Sequence, residues 1–459
     1  MVLPILGANT ESAAYEISNS LRFNDDDSTY LSRTVGTPTN EKIYTVSVWV
    51  KKSNTGINNT IIGSPPEGDR ILLGDKFEFF TNGSASSYLR TNAVARDNAA
   101  WYHMVVAYDV TQGTAANRVK YYINGEQLTF DLSTTFPSQD DTNGKINKSG
   151  TTLEIGHGHS GYCDGYMADF NLIDGQALDP TYFGETNSNG VWIPKKYTGT
   201  YGNNGFFLEF QQTGTSANAS GMGADSSGND NHLSITDLPS SAIMTESPNL
   251  TWAYLSQISA SDQEGSAGNI ENGGLRLPTG NKVHGLTHDN IMLDGGKWYF
   301  EVYMATSSNF NSTIGFRNND NGDDGPSIEV ENDRQVKKDS SNVGSSGGNF
   351  ANGGVISVKL DWSDTTDRKV EFLYDNGAMS NAGEQTFTDT STNSGFRYHG
   401  RETGSGSIQL FNFGQNPGFF GNISAGGNAD ANGYGNFQYS VPNGYYSINS
   451  KNLSEYGGL

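Results

Sequence analysis

Three groups of residues have types and spacings that invite chemistry. His157 and His159 flank Gly158, and Tyr162 follows three positions later. Imidazoles this close can clip a metal ion, and a neighbouring aromatic ring can stack on a sugar. His157, His159 and Tyr162 are therefore the candidate carbohydrate-contacting set. His284 and His288 are also near each other, but their spacing aligns two ligands only on a helix, and none is expected there. The third group is acidic: Asp25-Asp26-Asp27, and the run 318–324, which holds Asp320 and Asp323. Asp25, Asp27, Asp320 and Asp323 could offer hard oxygen ligands to calcium. The second run lacks the closing Glu of an EF-hand loop. The plainer reading of each group is a solvated loop, and no other cofactor is expected.

Much reactive chemistry is missing. There is no Gly-x-Ser-x-Gly elbow and no phosphate-binding loop. Glu301 stands alone on an aromatic run, and Asp361 and Asp364 have no Glu partner. All three are expected to be solvent-facing strand carboxylates. Tyr445-Tyr446 could stack on a sugar, although turn exposure or core packing is the simpler assignment. The lone cysteine, Cys163, excludes an intramolecular disulfide and reads as a small buried hydrophobe. A net charge of −22 repels phosphate backbones, so nucleic acid is not an expected partner. Binding, rather than turnover, is the expectation.

The elements that must position these residues are strands. Residues 44–50 alternate with period two and place Tyr44, Val46, Val48 and Val50 on one face. Trp49 falls on the opposite face, so both faces of this strand are expected to be covered. Residues 101–108, 118–123 and 165–173 read as further strands, with turn pairs at Asn124-Gly125 and Asp174-Gly175. Runs at 297–304, 313–316, 355–362, 369–374 and 407–414 repeat the pattern, with Asn376-Gly377 as another turn pair. No run approaches the roughly 18 apolar residues of a spanning helix. The apolar start of the chain lacks the basic region of a secretion signal.

The fold class expected is all-β: two concanavalin A-like or jelly-roll antiparallel β-sandwiches joined by a structured connector. Four segments are expected: an arm over 1–14, a sandwich over 15–185, a connector over 186–244, and a sandwich with a Gly/Asn-rich end over 245–459.

Residues 15–185 resemble the LamG-like domains of the concanavalin A-like lectins and glucanases. The resemblance rests on Leu21, Arg22 and Phe23, the strand at 44–51, Trp101 to Val105 in sequence, Tyr121-Tyr122-Ile123-Asn124-Gly125, and Gly165-Tyr166-Met167-Ala168-Asp169-Phe170. Cys163 stands where that family often carries Phe. Residues 245–450 resemble SPRY-type domains through Gly296-Lys297-Trp298-Tyr299-Phe300-Glu301-Val302, Ile314-Gly315-Phe316 and Leu410-Phe411-Asn412-Phe413-Gly414. The pairing, with Asp225-Ser226-Ser227-Gly228-Asn229-Asp230-Asn231 between them, resembles structural proteins of tailed phages of marine bacteria. That resemblance implies a non-enzymatic virion protein, a fibre or a capsid or tail decoration subunit, made in the host cytoplasm. It would bind host-surface glycan or neighbouring virion proteins, without membrane insertion. The alternatives are a purely structural scaffold of the particle, or a glycan-cleaving enzyme. Glucanases of the first family carry Glu-x-Asp-x-(x)-Glu on one strand, and that cluster is absent here. A homo-oligomer, a trimer, is expected from the resemblance, from Trp49, and from Phe419, Phe420, Tyr434 and Phe437 as contacts between chains.

Overall fold

The computed structural model describes residues 15–53, 57–66, 68–81, 87–98, 100–159, 161–255, 270–278, 282–284, 295–305, 312–318, 327–331, 333–344, 347–364, 366–378, 383–388, 396–402 and 407–457. The chain divides into two compact units, one spanning Glu11–Asn249 and one built on Leu250–Leu459. Both are sandwiches of antiparallel sheets. One short pair, Trp298 with Tyr446, runs parallel. Among the described residues the single α-helix is Ser450–Tyr456, and no helix is long and apolar enough to cross a membrane.

In the first unit, the front sheet runs in the order Ser234–Thr236, Tyr30–Thr34, Thr152–Ile155, Asn59–Gly63, Arg70–Leu73, Lys76–Thr81, Ser87–Val94. The back sheet runs Glu126–Gln127, Val119–Ile123, Tyr102–Asp109, Ile43–Lys52, Gly165–Asp174, Ser20–Phe23, Ile243–Met244. Strand alternation aims Leu31, Ile71, Phe79 and Leu89 from the front sheet at Val46, Val48, Val50 and Val106 from the back, and all are buried in one core. Each such side chain contributes about 1.5–3 kcal/mol. Cys163 is buried in the same core. Asn124 and Gly125 have φ of 49° and 84°, as a type I′ turn requires, so the strands on either side pair as a hairpin.

The segment 186–244, expected as a connector, is built into this unit. Phe206–Leu208 pairs with Gly165–Asp174 beyond a bulge, and Ser234–Thr236 and Ile243–Met244 extend the two sheets. The outer side of the back sheet is sealed by this stretch together with Phe183 just before it. Phe183 and Tyr197 pack on Val105, Ala107, Tyr122 and Ile173, and Trp192 lies over His103. Trp49 is indeed covered, stacked on His103 at 4.8 Å, but the cover is intramolecular.

In the second unit, one sheet centres on Lys297–Ala305, flanked by Ile408–Asn412 and Val355–Asp361. The other centres on Ser312–Asn318, flanked by Phe396–Glu402 and Ser327–Glu331. Trp298, Phe300, Phe316, Tyr398 and Phe411 fill the space between them and are fully buried. The Gly/Asn-rich segment folds onto its own sandwich. Phe419 stacks on Tyr303 at 5.4 Å, and Phe437 meets Tyr299 edge-on at 5.0 Å. These two aromatics, expected as contacts between chains, are therefore spent within the unit. The described part begins at residue 15, so the expected arm over 1–14 lies outside it.

Candidate functional site

The first sandwich carries the only sequence-chosen pair that the fold brings together among the described residues. His157–Gly158 and Gly161–Tyr162 pair as a short ribbon, with His157 opposite Tyr162. Their rings stack at 4.2 Å and 20°. Tyr30, from the neighbouring front-sheet strand, closes to 5.3 Å of the imidazole and 6.4 Å of the Tyr162 ring. The Glu154 carboxylate accepts from His157 Nδ1 at 2.5 Å, which fixes the ring. Tyr30, His157 and Tyr162 are all half-buried, so this small aromatic platform meets solvent. His159 stands apart at the exposed ribbon tip. Its Nδ1–H donates to the Pro66 carbonyl at 2.8 Å, because that carbonyl only accepts.

The ribbon rises from a transverse row of residues in the front sheet. In register across six strands lie Ser32, Glu154, Gly63, Arg70, Phe80 and Tyr88. Their neighbours Leu31, Ile71, Phe79 and Leu89 point into the core, so this row faces outward. Gly63 is required where the ribbon crosses, since a β-carbon there would come 2.9 Å from the His157 carbonyl oxygen. Beyond it, the Arg70 guanidinium lies 3.9 Å over the Phe80 ring, and Phe80 packs against Tyr88 at 4.4 Å. Tyr88 donates to Glu78 at 2.6 Å, and Arg90 pairs with the same carboxylate at 3.0 Å. Burial, then Glu78, raises the Tyr88 hydroxyl pKa above its usual value, so the phenol stays protonated. Nothing in the sequence marked Arg70, Phe80 and Tyr88 as neighbours. Only the register of separate strands joins them.

The acidic candidates are placed differently. Asp25 and Asp27 sit in one turn, where Asn24 donates to Asp27 at 2.6 Å. Burial and the adjacent Asp26 raise the Asp25 pKa from its ordinary value. Asp320 and Asp323 lie outside the described residues, as does His288. No group of three or more His, Cys, Asp or Glu able to hold a metal occurs among the described residues. Several acids instead staple loops. Asp225 accepts from the backbone N–H groups of Phe207, Ser227 and Asn231 at 2.8–2.9 Å. Asp430 accepts from Ser447 N–H and Asn452 in the second unit.

Glu301 corrects an expectation, because it is fully buried rather than solvent-facing. It accepts from Gln438 N–H and Tyr439 N–H at 2.8 Å each and from the Tyr299 hydroxyl at 2.9 Å. It thus pins the C-terminal segment to the sheet. Asp361 is also largely buried and pairs with Lys297 at 2.6 Å. Asp364 is exposed and caps the backbone at Thr366 and Asp367. Tyr445 is buried, whereas Tyr446 is half-buried and stacks on the half-buried Tyr456 at 3.8 Å.

Comparison with known proteins places the first sandwich. Residues 24–181 match the family model of the concanavalin A-like lectin/glucanases superfamily. No curated protein matches the chain. Among solved structures, a Bacteroides ovatus ATCC 8483 protein described as a candidate carbohydrate binder is 16% identical over 48% of this chain, with a TM-score of 0.30. The chain spans 58% of that protein. Domains LG4-5 of the mouse laminin alpha1 chain are 10% identical, with 96% of this chain and 89% of that one covered, at a TM-score of 0.28. The SPRY domain of human HERC1 is 14% identical, with 31% and 90% covered, at a TM-score of 0.23.

Proposed function

We propose that this chain is a non-enzymatic, glycan-binding virion protein, a fibre or a capsid or tail decoration subunit, whose first sandwich contacts host-surface sugars. The observation that carries the binding role is the half-exposed platform of Tyr30, His157 and Tyr162 beside Glu154. Aromatic faces stack on the apolar faces of sugar rings, and the Glu154 carboxylate holds the His157 ring in place. The match of residues 24–181 to a lectin and glucanase superfamily supports the same reading. The virion setting rests on the two-sandwich organisation and its resemblance to phage structural proteins.

Binding without turnover is supported by the front-sheet carboxylates. Glu154 and Glu78 lie three strands and two residues apart in register, roughly 16 Å from strand spacings. Glycoside cleavage needs a pair within roughly 10 Å. Each is also committed, Glu154 to His157 and Glu78 to Tyr88 and Arg90.

The test is a glycan array that includes bacterial surface polysaccharides, followed by titration calorimetry on the hits. Binding lost in Tyr162→Ala, with the melting temperature kept, is expected. An array without hits overturns the reading. So does release of reducing ends that disappears in Glu154→Gln.

A further inference from the structure

Arg70 is a front-sheet cation outside the platform, and its neighbours in the sheet are engaged: Arg33 donates to Asn204 and Asn231. Arg90 is paired with Glu78, and Lys76 with Asp131 at 3.5 Å. Arg70 has no carboxylate within ion-pair distance and no hydrogen-bond acceptor among the described residues, and its Nε is buried. The nearest acids, Glu78 and Asp69, attract it through space but accept their hydrogen bonds from other donors. Asp69 accepts from Lys145 N–H at 2.7 Å, and Glu78 from Tyr88. The guanidinium carbon lies 3.9 Å over the Phe80 ring, which restrains the side chain before any ligand arrives. Burial pulls its pKa below the usual arginine value, a sign of a cation short of solvent. In a chain of net charge −22, such a group is a local exception.

We propose that Arg70, Phe80 and Tyr88 form a second subsite that takes an acidic sugar of the polyuronate kind. The sugar carboxylate meets the Arg70 guanidinium, and the ring lies against Tyr88 across the Phe80 edge. A planar guanidinium matches a carboxylate in bidentate fashion, and stacked arginine is already desolvated for it. The position fits a chain-like ligand. Arg70 sits two strands from Glu154 in the same row, about 10 Å away, with the His157–Tyr162 ribbon standing between. One polysaccharide laid across the strands therefore reaches the aromatic platform with one unit and Arg70 with another. The ribbon separates the two subsites, so a repeating charge along the ligand is read at a fixed offset from the platform. This inference rests on the glycan-binding reading and adds the class of sugar.

The experiment compares polygalacturonate and alginate with the same two polymers after reduction of their carboxyls to alcohols. Binding is measured by titration calorimetry on the full chain. At least one polyuronate is expected to bind about tenfold or more tighter than its reduced form, which is about 1.4 kcal/mol. Arg70→Met should erase that preference by bringing the affinity for the native polymer down to that for the reduced one. Arg70→Gln provides a second readout should the Met variant fold poorly. Tyr162→Ala should weaken both forms together. Equal affinity for native and reduced polymers, no binding of either polyuronate, or a preference that survives both Arg70 variants overturns the acidic-sugar subsite. If array glycans still bind through Tyr162 in that case, the glycan-binding reading stands by itself. If no glycan binds at all, both fall.

Discussion

The Trp192 indole N–H donates to Nδ1 of His103 at 2.9 Å, with the two rings stacked at 5.9 Å. An indole only donates, so Nδ1 is the bare nitrogen and the imidazole proton sits on Nε2, 3.0 Å from the Ser47 hydroxyl. His103 is therefore held neutral between Trp49 and Trp192, and burial pushes its pKa down to about 3.

That arrangement predicts acid sensitivity of the first sandwich. Below an ordinary histidine pKa of about 6.5, the unfolded chain takes a proton that folded His103 refuses, so stability falls by about 1.4 kcal/mol per pH unit. His103→Gln should be less stable than the parent at pH 7 yet lose less on acidification. Thermal melts of both proteins from pH 7 to pH 4 check this, and parallel slopes would refute it.

Glu301 predicts the opposite sign in the second sandwich. Burial, outweighing its hydrogen bonds, lifts its pKa from 4.5 to about 7. Between those values the unfolded chain has lost the proton that the folded chain keeps, so stability falls as pH rises, by roughly 3 kcal/mol over the window. Glu301→Gln should remove this trend. The difference in calorimetric melting between parent and variant, compared at pH 5 and pH 8, measures it.

Gly63→Val tests the ribbon. The added side chain would collide with the His157 carbonyl, which belongs to backbone and has little room to yield. A loss of about 1–3 kcal/mol in stability is expected. Glycan affinity should fall with it, because the collision displaces the stacked His157 and Tyr162. Unchanged affinity in a folded Gly63→Val protein would separate the ribbon from the site.

Asp225→Ala should loosen the segment that follows the family-matched region. It strips acceptors from the N–H groups of Phe207, Ser227 and Asn231, at about 1–3 kcal/mol for each donor left buried and unpaired. Hydrogen exchange at Phe207 should accelerate well before global unfolding.

What the sequence made legible was local. Alternation placed Val46, Val48 and Val50 on one face, and Asn124-Gly125 specified its turn by the backbone angles those residues tolerate. The expected Asn376-Gly377 turn pair is displaced by one residue. Asp375 and Asn376, with φ of 44° and 64°, form the bend, and Gly377 begins the next strand. His157 and Tyr162 could be chosen together because a short ribbon keeps them adjacent. Arg70, Phe80 and Tyr88 could not, since their meeting depends on the register of three strands, and alternation reveals a face but never a neighbour. Glu301 shows the same limit. Its strand announced an outward position, while the segment that covers it lies far along the chain.

The Trp192 clasp bears on how this sandwich could be moved between proteins. Trp192 fits because Gly125 and Gly184 leave room for its ring, where a β-carbon would come within 2.6 Å and 2.5 Å respectively. Family recognition stops at residue 181, before Trp192, Phe207 and the last strands of both sheets. A graft cut at the recognised border would carry the His157–Tyr162 ribbon, lose the front-sheet strand beside Tyr30, and leave the opposite side as bare apolar sheet, prone to stick to other chains. The transplantable piece ends instead near Asn249, where the compact unit ends.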